Sequence, residues 1–177
     1  DYPRASAFSY LRRTLWELNQ MLGKGWIAAD RELVALERKP GLALDVEVFR
    51  GCLEAAGDPI VALTEAVAQY RGDFLEGLVI ADTAPFEEWQ CQQTEHYRRQ
   101  LSRMLERLVM AYEQRREYEL ALPHAQRWQA LDRLDETACR ALMRQWAGLG
   151  ERSAAARAYQ ACERTLQDEL GVPPQAE

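Results

Sequence analysis

Leu108-Val109-Met110-Ala111-Tyr112, with Ala121 and Ala125 after it, sets a pattern that returns as Leu142-Met143-Arg144-Gln145-Trp146, with Ala155 and Tyr159 after it. The offset is 34 residues at all four matched positions: Leu108 to Leu142, Tyr112 to Trp146, Ala121 to Ala155 and Ala125 to Tyr159. A period of that length is one helix-turn-helix unit, which cannot bury its apolar face alone and must stack on the next. The bulky residue of each pair belongs on the first helix of the unit. The alanine belongs where the second helix crosses closely. Such stacks present surfaces to other macromolecules, so the pattern points to binding and regulation before catalysis.

Working outward, the sequence divides into helices with clear stops. Residues 4–22 place Phe8, Leu11, Leu15, Leu18 and Leu22 on one face, which predicts an amphipathic helix with a buried stripe. Gly23 and Gly25 stop it. Two β-like runs follow, Trp26-Ile27-Ala28 and Glu32-Leu33-Val34-Ala35-Leu36, around the turn residues Ala29-Asp30-Arg31. A helix followed by a small hairpin is how a winged helix ends. The helices that precede such an ending are not in this sequence, so the chain is expected to begin inside a domain. Lys39-Pro40-Gly41 marks a boundary between residues 1–39 and residues 40–177.

Beyond it, Asp45 caps a helix to about Ala56, and Gly57-Asp58-Pro59 starts another to about Tyr70. Arg71 to Pro85 reads as a loop with apolar plugs at Phe74, Leu75 and Leu78. Within it Arg71-Gly72-Asp73 is read as a helix stop, with Asp73 capping the next turn. A long helix is expected from Pro85 to about Arg115, then antiparallel helical hairpins over about 117–131, 135–149 and 151–170. Asp132-Arg133-Leu134-Asp135 turns between the two repeat units, and Gly171 with Pro173-Pro174 closes the last helix.

With 177 residues, 47% apolar and 28% charged, the chain is an ordinary globular composition able to bury a core. No apolar run approaches the roughly 20 residues of a membrane helix, and no secretory signal opens the sequence, so cytoplasm is the expected compartment. The net charge of −6 is uneven: residues 1–39 carry seven basic against five acidic residues, +2, leaving −8 for the remainder. That asymmetry suggests a polyanion-facing end joined to an acidic body.

Chemistry-bearing patterns are few. The cysteines Cys52, Cys91, Cys139 and Cys162 form no C-x-x-C pair and have no histidine at ligand spacing, so neither a disulfide framework nor a zinc site is expected. Cys139 and Cys162 fall in helical patterns and read as small core residues. His96 and His124 lie in helices with no sequence-adjacent nucleophile, and phosphate-cradling glycine loops are absent. An enzyme would require assembly in space of residues such as Cys91, Glu95 and His96; no catalysis, cofactor or metal is expected. Most of the mixed charges on the long helix, from Glu87 to Arg116, are expected to make i,i+4 pairs. One face of the first helix carries Arg12, Arg13, Trp16, Asn19 and Gln20. Arginine for phosphate or guanine and amides for adenine edges are what major-groove reading uses, although a solvated helix face has the same composition.

Several separated runs together resemble a known family. Leu44-Asp45-Val46-Glu47-Val48-Phe49, Tyr70-Arg71-Gly72-Asp73-Phe74-Leu75-Glu76-Gly77, Trp89, Ala156-Arg157-Ala158-Tyr159 and Glu169-Leu170-Gly171-Val172-Pro173 occur in the order found in the bacterial transcriptional activator domain. That domain follows an OmpR-type winged helix in antibiotic-regulatory (SARP-type) activators and in larger regulators with ATPase modules. Residues 4–37 resemble the last helix and wing of that winged helix through Leu11-Arg12-Arg13, Leu15, Leu18 and Leu22-Gly23.

The resemblance implies an all-α, tetratricopeptide-like right-handed stack of helical hairpins, preceded by a partial winged helix of one helix and a β-hairpin. It implies a fragment of a transcription regulator whose partners are promoter DNA, RNA polymerase or an adjacent regulatory domain, and a second copy on DNA. Arg12, Arg13, Trp16 and Gln20 would face the major groove, with Lys24 and Arg31 near phosphates. The family has arginine directly after the leucine at Leu18, where this sequence has Asn19. The concave face of the hairpins would present Arg103, Glu106, Met110 and Glu113 from the first unit and Arg140 and Arg144 from the second, either to a partner or to the chain's own N-terminal helices. The alternative from a different class is a repeat scaffold that binds a peptide and never meets DNA.

Overall fold

The computed structural model describes residues 4–54, 59–80 and 83–175 and holds two compact units, Asp1–Leu44 and Asp45–Glu177.

In the first unit, helix α1 runs Arg4–Leu22 as its apolar spacing requires. Gly23 and Gly25 then adopt φ of 87° and 84°, conformations that other residues enter only with strain, and so turn the chain out of the helix. Strands β1 (Ile27–Ala29) and β2 (Val34–Leu36) pair antiparallel with Ile27 opposite Leu36 and Ala29 opposite Val34. β1 has the expected three residues, shifted by one to take in Ala29, and β2 is shorter than the expected run from Glu32 to Leu36. Asp30 takes up the residues that could have extended β2: its carboxylate accepts from the Glu32 and Leu33 amides at 2.7 Å each, and those bonds hold it below the usual carboxylate range. Lys39 returns over the Trp26 ring, 5.0 Å from its centroid, and donates to the Lys24 carbonyl at 3.3 Å.

The expected burial of the α1 stripe does not hold. Phe8, Leu11, Leu18 and Leu22 are exposed, and only Leu15 is half-buried. The physical reason is area: two strands of three residues cannot cover a five-turn helix. What forms instead is an open groove of about 510 Å³ lined by Phe8, Leu11, Leu15, Leu33 and Val34.

The second unit is all helix. Its elements are α2 (Asp45–Glu54), α3 (Pro59–Gln69), α4 (Ala84–Gln114), α5 (Tyr118–Leu131), α6 (Glu136–Gly148) and α7 (Arg152–Leu170), and each packs on the next except that α4 also touches α6. The expected cap at Gly57-Asp58 lies outside the described residues. Asp135 accepts from the Thr137 and Ala138 amides at 2.8 and 3.2 Å to cap the start of α6, whereas Asp45, expected as a cap, is the first residue of α2 and accepts, among the described residues, only from the adjacent Val46 amide. Gly171, at φ 70°, closes α7 in the left-handed conformation.

The core is centred on α4. Leu101, Met104, Leu105, Leu108 and Val109 are fully buried against Ala121, Ala125 and Trp128 of α5, Ala138 and Ala141 of α6, and Phe49, Ile60, Leu63, Ala66 and Val67 of α2 and α3. Each large apolar side chain buried this way contributes about 1.5–3 kcal/mol, more than any exposed ion pair in the molecule. A smaller cluster of Cys139, Cys162, Leu166 and Met143 joins α6 to α7. Burial, reinforced by the hydrogen bond with Cys162, pushes the Cys139 thiol up to about 12, so both behave as core residues.

Three expectations for this unit need correction. Of the loop plugs, only Phe74 reaches the core; Leu75 and Leu78 are exposed because the chain turns tightly between Asp73 and Leu78, with Leu75 itself at φ 54°. Asp73 does not cap a turn with its side chain; its carboxylate is taken by Tyr70 and Arg98. The charges of α4 do not tie up in i,i+4 ion pairs among the described residues: the pairs seen are Arg98 with Glu95 one turn earlier and with Asp73, and Glu113 with Arg144 of α6. The repeat also differs between its units. Ala121 and Ala125 are fully buried, whereas Tyr159, at the position on α7 that matches Ala125, is 43% exposed.

Candidate functional site

Two surfaces hold the residues singled out from the sequence, one in each unit. On α1, Arg12, Arg13, Trp16 and Gln20 are all exposed, Trp16 at 63%. Arg12 and Arg31 line the same groove, so helix and hairpin turn present two guanidiniums together. Lys24 is exposed just after the helix. Two members behave otherwise. Arg13 donates to Glu17 at 2.9 Å, an exposed pair one turn apart that is worth under about 1 kcal/mol and can be exchanged for a phosphate. Asn19 is half-buried, and its amide donates to the Leu15 carbonyl at 3.0 Å, so it serves its own helix.

In the second unit, the expected groove residues split into a connected part and an open part. Arg144 Nε donates to Glu113 at 3.0 Å, and Gln145 Nε2 donates to the other oxygen of the same carboxylate at 3.3 Å. This joins α6 to the end of α4 across 31 residues of chain. Gln145 is fully buried, its Nε2 also donates to the Ala141 carbonyl at 3.1 Å, and its Oε1 has no partner among the described residues. Arg140 pairs with Glu136 at 3.2 Å, and Glu136 accepts from the Gln175 amide at 2.8 Å, so the tail after α7 returns to the first turn of α6. Arg103 and Met110 are exposed and Glu106 is half-buried on α4.

The structure adds residues that sequence reading missed. Tyr70 donates to Asp73 at 2.9 Å, and Arg98 Nε donates to the same oxygen at 2.9 Å while its Nη2 takes the second at 2.5 Å. The Arg98 bonds hold the Asp73 carboxyl below its usual range despite partial burial. Burial and the Asp73 charge push the Tyr70 phenol up to about 12. Arg127 of α5 donates to the Val67 carbonyl at 2.9 Å and to the Tyr70 carbonyl, closing the end of α3. Separations of 25 and some 60 residues carry no sequence signal; only the Tyr70 to Gly77 run marks the place. His124 stacks on Tyr112 with ring centroids 5.9 Å apart and planes at 6°, and burial, with Arg127 nearby, holds it below the usual histidine range. Cys91, Glu95 and His96 all lie on α4, where Glu95 pairs with Arg98 and His96 hydrogen-bonds Gln100.

No described helix is long and apolar enough to cross a membrane. No curated protein matches the chain. A family model described as the bacterial transcriptional activator domain matches residues 44–177, the stretch that forms the helical unit. Its first matched residue falls at the division between the two compact units, and its span takes in both repeat units and the Asp73–Arg98 clamp. This chain therefore belongs to the bacterial transcriptional activator domain family, and its all-helical body is part of a bacterial transcription regulator.

Proposed function

We propose that the chain works as a positional activator: the first unit contributes the recognition helix and wing of a winged helix, and the second is a tetratricopeptide-like stack that presents a surface to RNA polymerase, a regulatory module or a second copy. The observation that carries this reading is the family match over residues 44–177 directly behind a helix-plus-hairpin unit. On α1 the exposed polar face supplies Arg12, Arg13, Trp16 and Gln20 for the major groove, while Lys24 and Arg31 supply phosphate contacts. Its opposite face, with Phe8, Leu11, Leu18 and Leu22 exposed, is the one that the earlier helices of a winged helix would bury. The 34-residue period and the stepwise packing of α4 to α7 support the repeat reading of the second unit. The role is one of binding; the described side chains suggest no catalytic constellation.

A second reading, a repeat scaffold without DNA binding, draws on the α4–α6 surface, where Glu113 and Arg144 sit near the exposed Met110. Fluorescence anisotropy with a labelled random-sequence duplex at two salt concentrations separates the two. The comparison is between this chain and a form extended upstream to complete the winged helix. Binding by the extended form that weakens steeply with salt supports the activator reading, since each neutralised phosphate adds about 0.9 to the logarithmic salt slope. Absence of binding by either form at low salt transfers the case to the scaffold.

A further inference from the structure

Two runs far apart in sequence, Asp45 to Phe49 and Gln69 to Leu75, meet in the second unit at a cavity of about 280 Å³ that Tyr97 of α4 backs. Its walls are aromatic. Phe49 lies 6.0 Å from Tyr70 and 6.1 Å from Tyr97, and Phe74 lies 5.4 Å from Tyr97, centroid to centroid. Val46 and Leu75 complete the apolar lining. The volume is just under the roughly 300 Å³ at which drug-sized ligand sites begin, so the space suits a single ring or a branched chain.

The polar groups around it decide the sign of a ligand's charge. The Tyr70 hydroxyl is committed to Asp73, and Asp73 is neutralised by Arg98. Asp45 already accepts from the Val46 amide at 2.8 Å at the start of α2, where the positive end of the helix offsets its charge. Arg50 donates to the Tyr97 hydroxyl at 2.8 Å with its guanidinium 5.4 Å from the ring centroid, so a cation already occupies the place where a ligand cation would bind that ring. Arg71 and Gln69 also line the cavity, and neither side chain has a hydrogen-bond or ion-pair partner among the described residues. The unused polar capacity is therefore a guanidinium with five donors and a carboxamide. A guanidinium meets a carboxylate through two parallel bonds.

We propose that this cavity is a binding site for a small carboxylic acid with a ring-sized apolar body, the body among Phe49, Tyr70, Phe74 and Tyr97 and the acid on Arg71 and Gln69. The site lies wholly within the helical unit and does not depend on DNA contact, so it gives the regulator a place to sense a metabolite.

The test is an NMR titration of the backbone amides of the whole chain with three probes of one shape: phenylacetate, phenylacetamide and phenethylamine at neutral pH. The site predicts saturable shifts centred on Val46, Gly72 and Leu75 with phenylacetate, and affinity for the amine at least about tenfold weaker. Arg71→Gln, an exposed position, should remove the preference for the acid while leaving the spectrum folded. Asp45→Asn, which keeps an acceptor for the Val46 amide, should tighten the acid. Equal or tighter binding of the amine, no saturable shift at these amides with phenylacetate, or an undiminished acid preference in Arg71→Gln each overturns the proposal.

Discussion

Asp73 shows how one carboxylate can anchor a loop. It takes two bonds from Arg98 and one from Tyr70, and through them it ties the chain after α3 to the middle of α4. Its folded-state pKa is depressed, so the contribution is present above the ordinary carboxylate range and is lost as pH falls through the lowered value. Tyr70 works at the other end of the scale. Raised to about 12 from 10.0, it favours the fold below pH 10 and ceases to do so as pH climbs through 12. Both partners in the ion pair are partly exposed, which limits the effect. Asp73→Asn is expected to cost about 1 kcal/mol at neutral pH and to lessen the acid sensitivity of urea midpoints. His124 adds a separate acid window. Held below its usual 6.5 by burial, it favours the fold when neutral, so stability should decline as pH drops from about 6.5. His124→Phe keeps a ring against Tyr112 and should flatten the urea-midpoint profile between pH 7 and pH 5. An unchanged slope in that variant would remove His124 from the account.

At the scale of the element, helix positions were legible and side-chain burial was less so. The apolar spacing located α1 and α4 to α7 to within about two residues, because long periodic segments with glycine or proline stops have few alternatives. The second hairpin strand begins late because Asp30 holds Glu32 and Leu33 in the turn with two side-chain bonds, which composition does not reveal. The stripe on α1 was correctly placed on one face but wrongly expected to be covered, since periodicity reports which residues share a face and not what lies opposite. Nor did the sequence show that Gly148 is a contact. A Cβ there would come within 2.6 Å of the Tyr118 ring, at atoms that cannot swing away freely. Gly148→Ala would otherwise favour α6 by up to about 1 kcal/mol. Here the clash should win and lower stability by about 1–3 kcal/mol. Removing the ring in Tyr118→Ala should convert the same substitution to neutral or favourable, and a double-mutant cycle in urea reads the coupling directly.

For the molecule as a whole, the sequence separated a basic N-terminal end from an acidic body, and the structure has two compact units divided at Leu44 and Asp45. The helical unit was legible because its 34-residue period and its family motifs agree with each other. The functional surfaces were legible only in part. Residues of one helix face, such as Arg12, Trp16 and Gln20, can be read off a helical repeat. Pairings across 25 or more residues, such as Asp73 with Arg98 and Glu113 with Arg144, depend on packing that local pattern does not encode.

The α1 face is proposed to read DNA and not to serve the fold. Arg12→Ala with Arg13→Ala tests it in one protein, in the form extended to a complete winged helix. Duplex affinity is measured against salt, and the thermal midpoint is measured alongside. Both arginines are exposed, and the one ion pair seen for them among the described residues is the weak Arg13–Glu17 contact. A DNA-reading face should therefore give a nearly unchanged midpoint, weaker binding, and a logarithmic salt slope smaller by about two. Unchanged affinity together with a clear drop in the midpoint would contradict it and make the helix a structural part of a scaffold.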